Sequence, residues 1–392
     1  MNFIPYGKQE INQDDIDAVV EVLHSDFLTT GPKIAAFEQS LCEYCGAQYA
    51  IAVSSGTAAL HMASLALLKQ GDKVLTTPNS FVATSNAIIY AGAVPIFVDI
   101  IPDGNIDLDL CEQYLQRDPT IKALYGVHFS GNPLNQQKLR YLKEQYDILI
   151  VEDCAHSIGA DNNGIKAGSC TYSDCSIFSF HPVKNLTTAE GGAVTTNSKA
   201  MYEMLLLLRN HGMTRESDSF TNRAMAYDRK GNVNSWYYEM QTLGYNYRIT
   251  DLQCALGISQ MSRLPQFLKR RRSIAACYDS AFKDSKVITP LYPFNDGSAY
   301  HLYVIRIDFD MLNLTKAELF VKMRQKHIGL QLHYIPINRQ PFYIERGYGN
   351  EETPLMDAYY QSALSLPMYA ALQDDEQQHV ITTLTSIIDA YS

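Results

Sequence analysis

From about residue 50 to residue 197 the sequence alternates short β-rich runs with helical patterns. Several of the β-rich runs are apolar on successive residues, as strands covered on both faces must be. The runs occur at 50–55, 73–78, 94–100, 121–129, 147–154, 175–180 and 192–197. Alternation of this kind predicts an α/β fold, in which a mainly parallel sheet lies between two layers of helices.

The pattern changes after about residue 198. A helix stopped by Gly212 is followed by the polar and aromatic stretch 213–243, which lacks clear periodicity and contains Trp236. A loop that long is usually functional or disordered, and its aromatic residues favour an ordered, functional loop. Beyond residue 250 a long helical stretch leads to a strand at 300–309, a helix at 315–329 and a strand at 330–336. We therefore predict a large domain over residues 1–249 and a smaller α+β domain over residues 250–392.

Charge and apolar patterning argue against several classes of partner. The net charge of −10 disfavours a nucleic-acid binder that relies on general attraction to phosphates. The basic run at 269–272 falls in a helical pattern and is interpreted as a solvated helix face. No window approaches a membrane span, and the first residues lack the apolar core of a signal peptide, so a cytoplasmic location without membrane contact is expected.

The eight cysteines do not predict a metal site. Only Cys42 and Cys45 form a C-x-x-C pair, and no second pair with zinc spacing accompanies them. They fall in a helix that ends at Gly46, so helix-packing thiols are the favoured interpretation. Without a secretory signal all eight are expected to be reduced.

Three features fall at carboxyl ends of predicted parallel strands, the edge at which open α/β sheets build their sites. The first is "SSGTAAL" at 54–60, where a strand ends in small residues and a helix begins at Gly56 and Thr57. Backbone N–H groups at a helix N-terminus suit a phosphate. An ordinary helix cap is an equally good interpretation of this motif taken alone.

The second feature is "VEDCAHS", which puts Glu152 and Asp153 after an apolar run. A carboxylate there can bind a metal or hold a cation such as a protonated pyridine nitrogen, or it can be a solvated acid at the end of a strand. The metal interpretation needs further ligands, and His156 is the only near candidate.

The third feature is the segment "SFHPVKNLTTAEGG" at 179–192. Taken alone, Lys184 is most simply an exposed surface charge. Beside a sheet edge, partial burial would lower its pKa and make the amine available for a Schiff base. A phosphate cradle, an acid for a ring nitrogen and a reactive lysine, in that order, are the parts that a pyridoxal phosphate site requires.

The sequence resembles the DegT/DnrJ/EryC1 family of sugar aminotransferases over nearly its whole length. The resemblance is carried by "FLTTGPKIAAFE", "AVSSGTAAL", "TTPNSFVATSNAIIYAGAVPIFVDI", "VEDCAHSIGA", "FSFHPVKNLTTAEGGAVTTN", "RNHG", "LGYNYRITDLQCALGISQ" and "LSLPMY". It implies a pyridoxal phosphate enzyme of the aspartate aminotransferase fold, fold type I.

The resemblance also implies roles for individual residues. Lys184 would form the Schiff base with the cofactor and later move the proton between substrate and cofactor. Asp153 would pair with the pyridine nitrogen and keep it protonated. The family positions that hold the cofactor phosphate correspond to Gly56, Thr57 and Ser179.

Three further positions match the family's cofactor site. Phe81 would stack on the pyridine face, and His156 would lie close to the ring oxygen of the cofactor. Asn246 matches a residue that reaches the phosphate site of the neighbouring subunit, which implies a homodimer with shared active sites. The loop 213–243 would then be the partner's contribution to the substrate pocket.

One departure from the family pattern points to the substrate. Much of the family has two residues between the serine and the lysine, whereas "SFHPVK" has four. The longer form resembles the aminotransferases of pseudaminic acid biosynthesis, which use L-glutamate to aminate C4 of a UDP-linked 4-keto-6-deoxy-N-acetylhexosamine. His181 would contact substrate or cofactor, or only shape the turn before Pro182. The other candidates for substrate contact are Tyr6, Thr30, His333 and Tyr334.

Two alternatives to this function stay open. The first is the same chemistry on another nucleotide-linked keto sugar, such as a dTDP-4-keto-6-deoxyhexose. The second is a non-catalytic homologue that binds pyridoxal phosphate and acts in regulation. The family also has dehydratases in which histidine replaces the lysine, and Lys184 argues against that activity.

Overall fold

The computed structural model describes residues 2–392 of the chain. Its strands are β1 (Tyr49–Val53), β2 (Lys73–Thr76), β3 (Val94–Phe97), β4 (Ile121–Val127), β5 (Leu149–Asp153), β6 (Asp161–Asn162), β7 (Ile165–Lys166), β8 (Cys175–Ser179), β9 (Gly192–Thr196), β10 (Met213–Thr214), β11 (Glu239–Met240), β12 (Ile288–Pro290), β13 (Tyr303–Ile307) and β14 (Ala363–Leu366).

The α-helices alternate with these strands in the first half of the chain. They are α1 (Gln13–Leu23), α2 (Pro32–Cys45), α3 (Gly56–Leu67), α4 (Ala83–Tyr90), α5 (Leu108–Arg117), α6 (Gln136–Tyr146), α7 (Lys199–Arg209), α8 (Arg223–Ala226), α9 (Asp251–Phe282), α10 (Lys316–Gln325), α11 (Pro341–Ile344), α12 (Pro354–Ser362) and α13 (Asp374–Tyr391).

Seven strands form the central sheet, in the order β1-β9-β8-β5-β4-β2-β3. Strands β8, β5, β4, β2 and β3 are parallel, while β9 runs antiparallel to both of its neighbours. The predicted mainly parallel sheet and the α/β class are confirmed, and all seven predicted strands are present.

Apolar side chains on both faces of the sheet explain the apolar runs. In β1, Ile51 and Val53 pack in one buried cluster, whereas Ala50 and Ala52 pack in another on the opposite face. Because successive side chains of a strand point to opposite faces, a strand covered by helices on both sides must be apolar throughout.

The strand directions bring three chain segments to one edge of the sheet. Strand β5 ends at Asp153, β8 ends at Ser179, and β1 leads into α3, which begins at Gly56. Since β1 and β8 each run antiparallel to β9, they run in the same direction as each other. The three motifs singled out in the sequence therefore meet at one edge.

The C-terminal part has its own three-stranded antiparallel sheet, β12-β13-β14. Its apolar cluster includes Ile4 near the N-terminus as well as Tyr278 and Phe282 from the second half of α9. The first half of α9 instead packs against the central sheet through Cys254 and Leu264. One long helix therefore contributes to two cores, and the division at residue 250 stays a prediction.

The predicted strand at 330–336 is wrong. Within it only Gln331 forms a β-bridge, to Ser365, and a 3₁₀ turn follows at Ile337–Arg339. The segment forms part of a cavity wall, and Pro336 has no N–H to donate to a strand partner. The alternation of apolar and polar residues in this segment therefore reflects the cavity wall and not a strand in a sheet.

The prediction that the basic run 269–272 is a solvated helix face is wrong for Arg271. Arg271 is 2% exposed, and its guanidinium donates hydrogen bonds to the carbonyls of Tyr300, His301 and Met368. Burial lowers the pKa of Arg271 to about 10, so it is cationic at neutral pH. Its three acceptors tie α9 to the segment before β13 and to the segment after β14, contacts that helical periodicity does not reveal.

The stretch 213–243 contains more regular structure than predicted. Strands β10 and β11 pair across it, and the backbone N–H of Thr221 donates to the carboxylate of Glu239. Trp236 is 75% exposed on this segment.

Among residues 2–392, no helix has both the length and the apolar character that crossing a membrane requires.

Candidate active site

A cavity of about 490 Å³ lies at the edge where β1, β5 and β8 end. Its lining includes all but two of the residues predicted for the site: Tyr6, Gly56, Thr57, Phe81, Asp153, His156, Ser179, His181, Lys184, His333 and Tyr334. The other two, Thr30 and Asn246, are exposed and lie outside the cavity of their own chain. The roles of these residues stay predictions.

One wall of the cavity is the N-terminus of α3. The hydroxyl of Ser55 caps this helix by accepting a hydrogen bond from the Ala58 N–H at 3.1 Å. A Cβ atom on Gly56 would lie 2.9 Å from Cβ and 3.2 Å from Oγ of Ser179. Glycine therefore keeps the space between the helix start and the Ser179 hydroxyl open, where backbone N–H groups can receive an anion.

Asp153 projects into the cavity from the end of β5. Its carboxylate accepts hydrogen bonds from the Thr84 hydroxyl at 2.7 Å and from the Ala155 N–H at 3.1 Å. The Thr84 hydroxyl also contacts Ser80 at 2.8 Å, so the carboxylate is held in place from α4. An oriented carboxylate at a cavity wall is suited to holding a cationic N–H group.

Glu152 lies on the opposite side of β5 from the cavity. Its carboxylate accepts hydrogen bonds from Gln136 and Ser173, each at 2.6 Å, and its Oε2 lies 2.9 Å from His128 Nε2. Glu152 and Asp153 are both buried, so the interpretation of a solvated strand-end acid is wrong for both. Strand alternation decides which acid faces the cavity.

Lys184 follows a turn that contains the His-Pro pair. The Lys184 N–H donates to the His181 carbonyl at 2.9 Å, with Pro182 at the second turn position that it favours. The side chain of His181 is exposed and lines the cavity, so it contributes to both the turn and the wall. The alternatives left open for His181 are therefore compatible with each other.

The amine of Lys184 has a lowered pKa. Burial lowers its pKa from 10.5 to about 8, although the negative charge of Asp153 acts in the opposite direction. Lys184 forms no ion pair with any residue between 2 and 392. About a tenth of the amine is therefore uncharged at pH 7, and the uncharged amine is the form that attacks a carbonyl.

We expect the apo-protein to capture pyridoxal phosphate at a rate that rises about tenfold per pH unit and levels off near pH 8. The sign follows from the amine, because only the uncharged form reacts and its fraction grows up to the pKa. Stopped-flow absorbance of the bound cofactor measures the rate. In Asp153→Asn the midpoint should move to lower pH, and a wild-type midpoint near pH 10 would contradict the assignment.

Aromatic and histidine side chains form the opposite wall. His156 Nε2 lies 3.1 Å from the Tyr334 hydroxyl, and the ring of Phe81 lies 6.3 Å from that of Tyr334. The ring of Tyr6 lies 5.3 Å from that of His333. Burial is the main cause that lowers the pKa of His333 to about 3 and that of His156 well below 6.5, so both imidazoles are uncharged.

The sequence interpretation missed Thr84 and Ser80, which orient Asp153, and His301, whose ring packs on His156. A signal for Thr84 existed, because it lies only three residues after Phe81, in the first turn of α4. For His301 there was none, since a histidine at the beginning of a strand has no distinctive spacing.

The donor set fits the pyridoxal phosphate that the sequence resemblance implies. A phosphate fits the helix start beside Ser179, where a Cβ at Gly56 would clash. A protonated ring nitrogen fits Asp153, and an aldehyde fits the amine of Lys184. The exposed ring of Phe81, 58% accessible on the cavity wall, offers a face for stacking.

Comparison with known proteins agrees with this geometry. Residues 9–385 match the sequence profile of the DegT/DnrJ/EryC1/StrS aminotransferase family. The UDP-4-amino-4,6-dideoxy-N-acetyl-beta-L-altrosamine transaminase of Campylobacter jejuni subsp. jejuni serotype O:23/36 is 38% identical over 389 residues, which cover 98% of this chain and 98% of that protein.

Two solved structures are similar over nearly their whole length. Helicobacter pylori PseC, an aminotransferase involved in the biosynthesis of pseudoaminic acid, has a TM-score of 0.90 at 29% identity, covering 99% of this chain and 100% of that chain. The PLP-form of Spr1654 from Streptococcus pneumoniae has a TM-score of 0.86 at 29% identity, covering 99% of each chain.

Proposed function

This chain belongs to the DegT/DnrJ/EryC1/StrS aminotransferase family, and we propose that it transfers the amino group of L-glutamate to the C4 ketone of a UDP-linked 4-keto-6-deoxy-N-acetylhexosamine. At the level of the family it is an aminotransferase of nucleotide-linked keto sugars that uses pyridoxal phosphate. The choice of sugar is supported by the 38% identity to the Campylobacter transaminase and by the His-Pro step before Lys184. Pseudaminic acid biosynthesis is the pathway proposed.

The observation that carries the chemistry is that Lys184 and Asp153 line the same cavity, one as a partly uncharged amine and the other as an oriented carboxylate. Bound pyridoxal phosphate supplies an aldehyde that exchanges amino groups and a ring that withdraws electrons. The carboxylate of Asp153 holds the proton on the ring nitrogen, which keeps the ring electron-withdrawing.

Lys184 moves the proton in both half-reactions. With pyridoxal phosphate bound, its uncharged Nζ would accept the proton from the α-carbon of glutamate in the first half-reaction. In the second half-reaction the same nitrogen would deliver a proton to C4 of the sugar. A pKa near 8 suits this exchange, because the group must both accept and release a proton near neutral pH.

The remaining side chains position the reactants. Gly56, Thr57 and Ser179 would hold the phosphate, and Phe81 would stack on the ring. Tyr6, His181 and His333 also line the cavity and would contact the sugar nucleotide.

A panel of substrates tests the choice of sugar. We expect purified protein with L-glutamate to aminate UDP-linked 4-keto-6-deoxy-N-acetyl sugars with a kcat/KM at least about tenfold above that for dTDP-4-keto-6-deoxyhexoses. Mass spectrometry of the sugar nucleotide measures the product. Activity on the dTDP sugars alone would replace the substrate and leave the mechanism standing. Protein that binds pyridoxal phosphate but aminates neither class would favour a non-catalytic homologue.

We also propose a homodimer in which Asn246 reaches the partner's site. The proposal is supported by the position of Asn246, which is exposed and lies outside the cavity of its own chain. Large apolar side chains are exposed on the neighbouring segment, with Leu243 at 72% and Trp236 at 75%. An exposed apolar surface of this kind marks a contact with another protein chain.

Complementation between two inactive variants tests the shared site. Lys184→Ala and Asn246→Ala homodimers should both be impaired, whereas co-expression of the two chains should restore about a quarter of the wild-type activity. The heterodimer combines one intact Lys184 with an Asn246 from the other chain. Purified Lys184→Ala and Asn246→Ala homodimers, mixed after purification and not co-expressed, control for simple addition of activities. Restoration no greater than the sum of the two separate variants would contradict shared sites.

A further inference from the structure

His301 lies directly behind His156, on the side away from the cavity. The centroids of the two imidazole rings are 4.4 Å apart, and the rings are tilted by 47°. Both side chains are buried, but only His156 is among the residues that line the cavity. His301 therefore contacts the candidate site through another side chain and does not face the reactants.

The backbone on which His301 sits is held from two sides. Gly131 has a φ of +99°, and a Cβ atom there would lie 2.8 Å from the Tyr300 nitrogen and 3.0 Å from both the His156 oxygen and the His301 nitrogen. The absence of a side chain at Gly131 is what allows these backbones to approach. Arg271 donates to the His301 carbonyl from the other side, at 3.2 Å. The backbone of His301 is therefore closely packed on both its N–H and its carbonyl.

The polar atoms of the pair are arranged asymmetrically. His156 Nε2 contacts the Tyr334 hydroxyl, whereas Nδ1 of His156 and Nδ1 of His301 are buried without a hydrogen-bond partner among residues 2–392. Burial and the nearby charge of Lys184 lower the pKa of both histidines well below 6.5, so both rings are uncharged. An unpartnered buried nitrogen costs stability, and a phenylalanine would avoid that cost at either position.

We propose that His301 is a positioning residue for the cofactor site, because its ring fixes the orientation of the His156 imidazole and thereby the hydrogen bond between His156 Nε2 and Tyr334. The inference rests on the proposed function, in which this cavity holds pyridoxal phosphate. His156 and Tyr334 then present one fixed pair of neutral polar atoms to the ring oxygen of the cofactor. Displacing a site residue by a small distance has large effects in preorganised sites.

The test replaces His301 by alanine, which removes the ring that packs on His156. We expect the dissociation constant for pyridoxal phosphate to rise by roughly tenfold and the absorbance maximum of the bound cofactor to move. Tyr300→Phe is the matched control, because Tyr300 is the adjacent buried residue and loses only a hydroxyl that accepts a hydrogen bond elsewhere, from the Asn295 backbone N–H. The control should bind the cofactor as the wild type does, with an unchanged spectrum.

A double-mutant cycle separates positioning from general destabilisation. If His301 acts through His156, His301→Ala should cause no further loss of cofactor affinity in a His156→Gln protein. Fully additive losses, or a His301→Ala protein that binds and absorbs like Tyr300→Phe, would overturn the inference.

A conservative substitution covers failure of the first variant to fold. His301→Gln keeps a polar side chain, and we expect a loss of affinity of roughly threefold that disappears in the His156→Gln background. A loss that persists unchanged in that background overturns the proposal even if His301→Ala cannot be purified. Wild-type protein that binds no pyridoxal phosphate would instead contradict the proposed function, so the two failures are distinguishable.

Discussion

Replacing Lys184 by alanine should lower aminotransferase turnover by roughly 10⁴-fold, because no other amine lines the cavity within the described residues 2–392. Alanine removes the nitrogen that is proposed to bond to the cofactor and to move the proton at both carbons. Binding of the sugar nucleotide should change much less, since Lys184 acts on the reacting atoms. The expected signature is therefore a large fall in kcat with little change in KM.

Two measurements place the chemistry on this residue. The first is turnover of glutamate and keto sugar under saturating conditions. The second is borohydride reduction followed by mass spectrometry, which should find cofactor attached to the peptide containing Lys184 in the wild type and no attachment in the variant. Attachment to another lysine, or turnover within tenfold of the wild type, would contradict the assignment.

Lys316 offers a matched control for the lysine substitution. Burial lowers its pKa to about 8 as well, but its ammonium donates to the Tyr360 carbonyl at 2.6 Å, outside the cavity. Lys316→Ala should leave turnover per folded molecule unchanged. If only Lys184→Ala loses turnover, the catalytic role depends on the position of the lysine beside Asp153, because both lysines have a lowered pKa.

Replacing Asp153 by asparagine should lower kcat by roughly 10²- to 10³-fold. Asparagine has nearly the same shape and can still accept a hydrogen bond from Thr84 or Ala155, but it carries no negative charge. Without that charge the proton on the ring nitrogen is no longer held, so the ring withdraws electrons less strongly. The loss arises in the chemical step and should be visible in single-turnover kinetics.

The absorbance spectrum and a buried control test this prediction. Asp153→Asn should bind pyridoxal phosphate with an altered pH dependence of its spectrum. Asp99 is also buried, and its carboxylate accepts from the N–H groups of Leu355 and Met356 at 2.9 Å, at the start of α12. Asp99→Asn should cost about 1–2 kcal/mol of unfolding free energy with little change in kcat. Equal effects of the two substitutions on kcat would contradict the role of Asp153.

The central sheet was predictable because its signal is local. A strand buried on both faces is apolar on successive residues, and β1, β5 and β8 show this in a single short run each. The order of strands and the antiparallel direction of β9 were not predicted, since pairing between strands depends on contacts that short-range patterns do not record.

The wrong expectations share a physical cause. The segment 330–336 lines a cavity instead of joining a sheet, and Arg271 is buried against three carbonyls instead of facing solvent. In each case a long-range contact overrides the local pattern. Glu152 shows the same effect, because His128, Gln136 and Ser173 from other segments surround a carboxylate that the sequence allowed to be solvated.

The amino-acid sequence by itself determined the α/β class, the positions of the strands and the chemical groups at the strand ends, because these depend on residues that are close together in the chain. Only the tertiary structure showed that His128, Gln136 and Ser173 enclose Glu152, and that His301 packs on His156. Contacts between distant residues depend on how all the helices and strands pack together, and no short pattern carries that information.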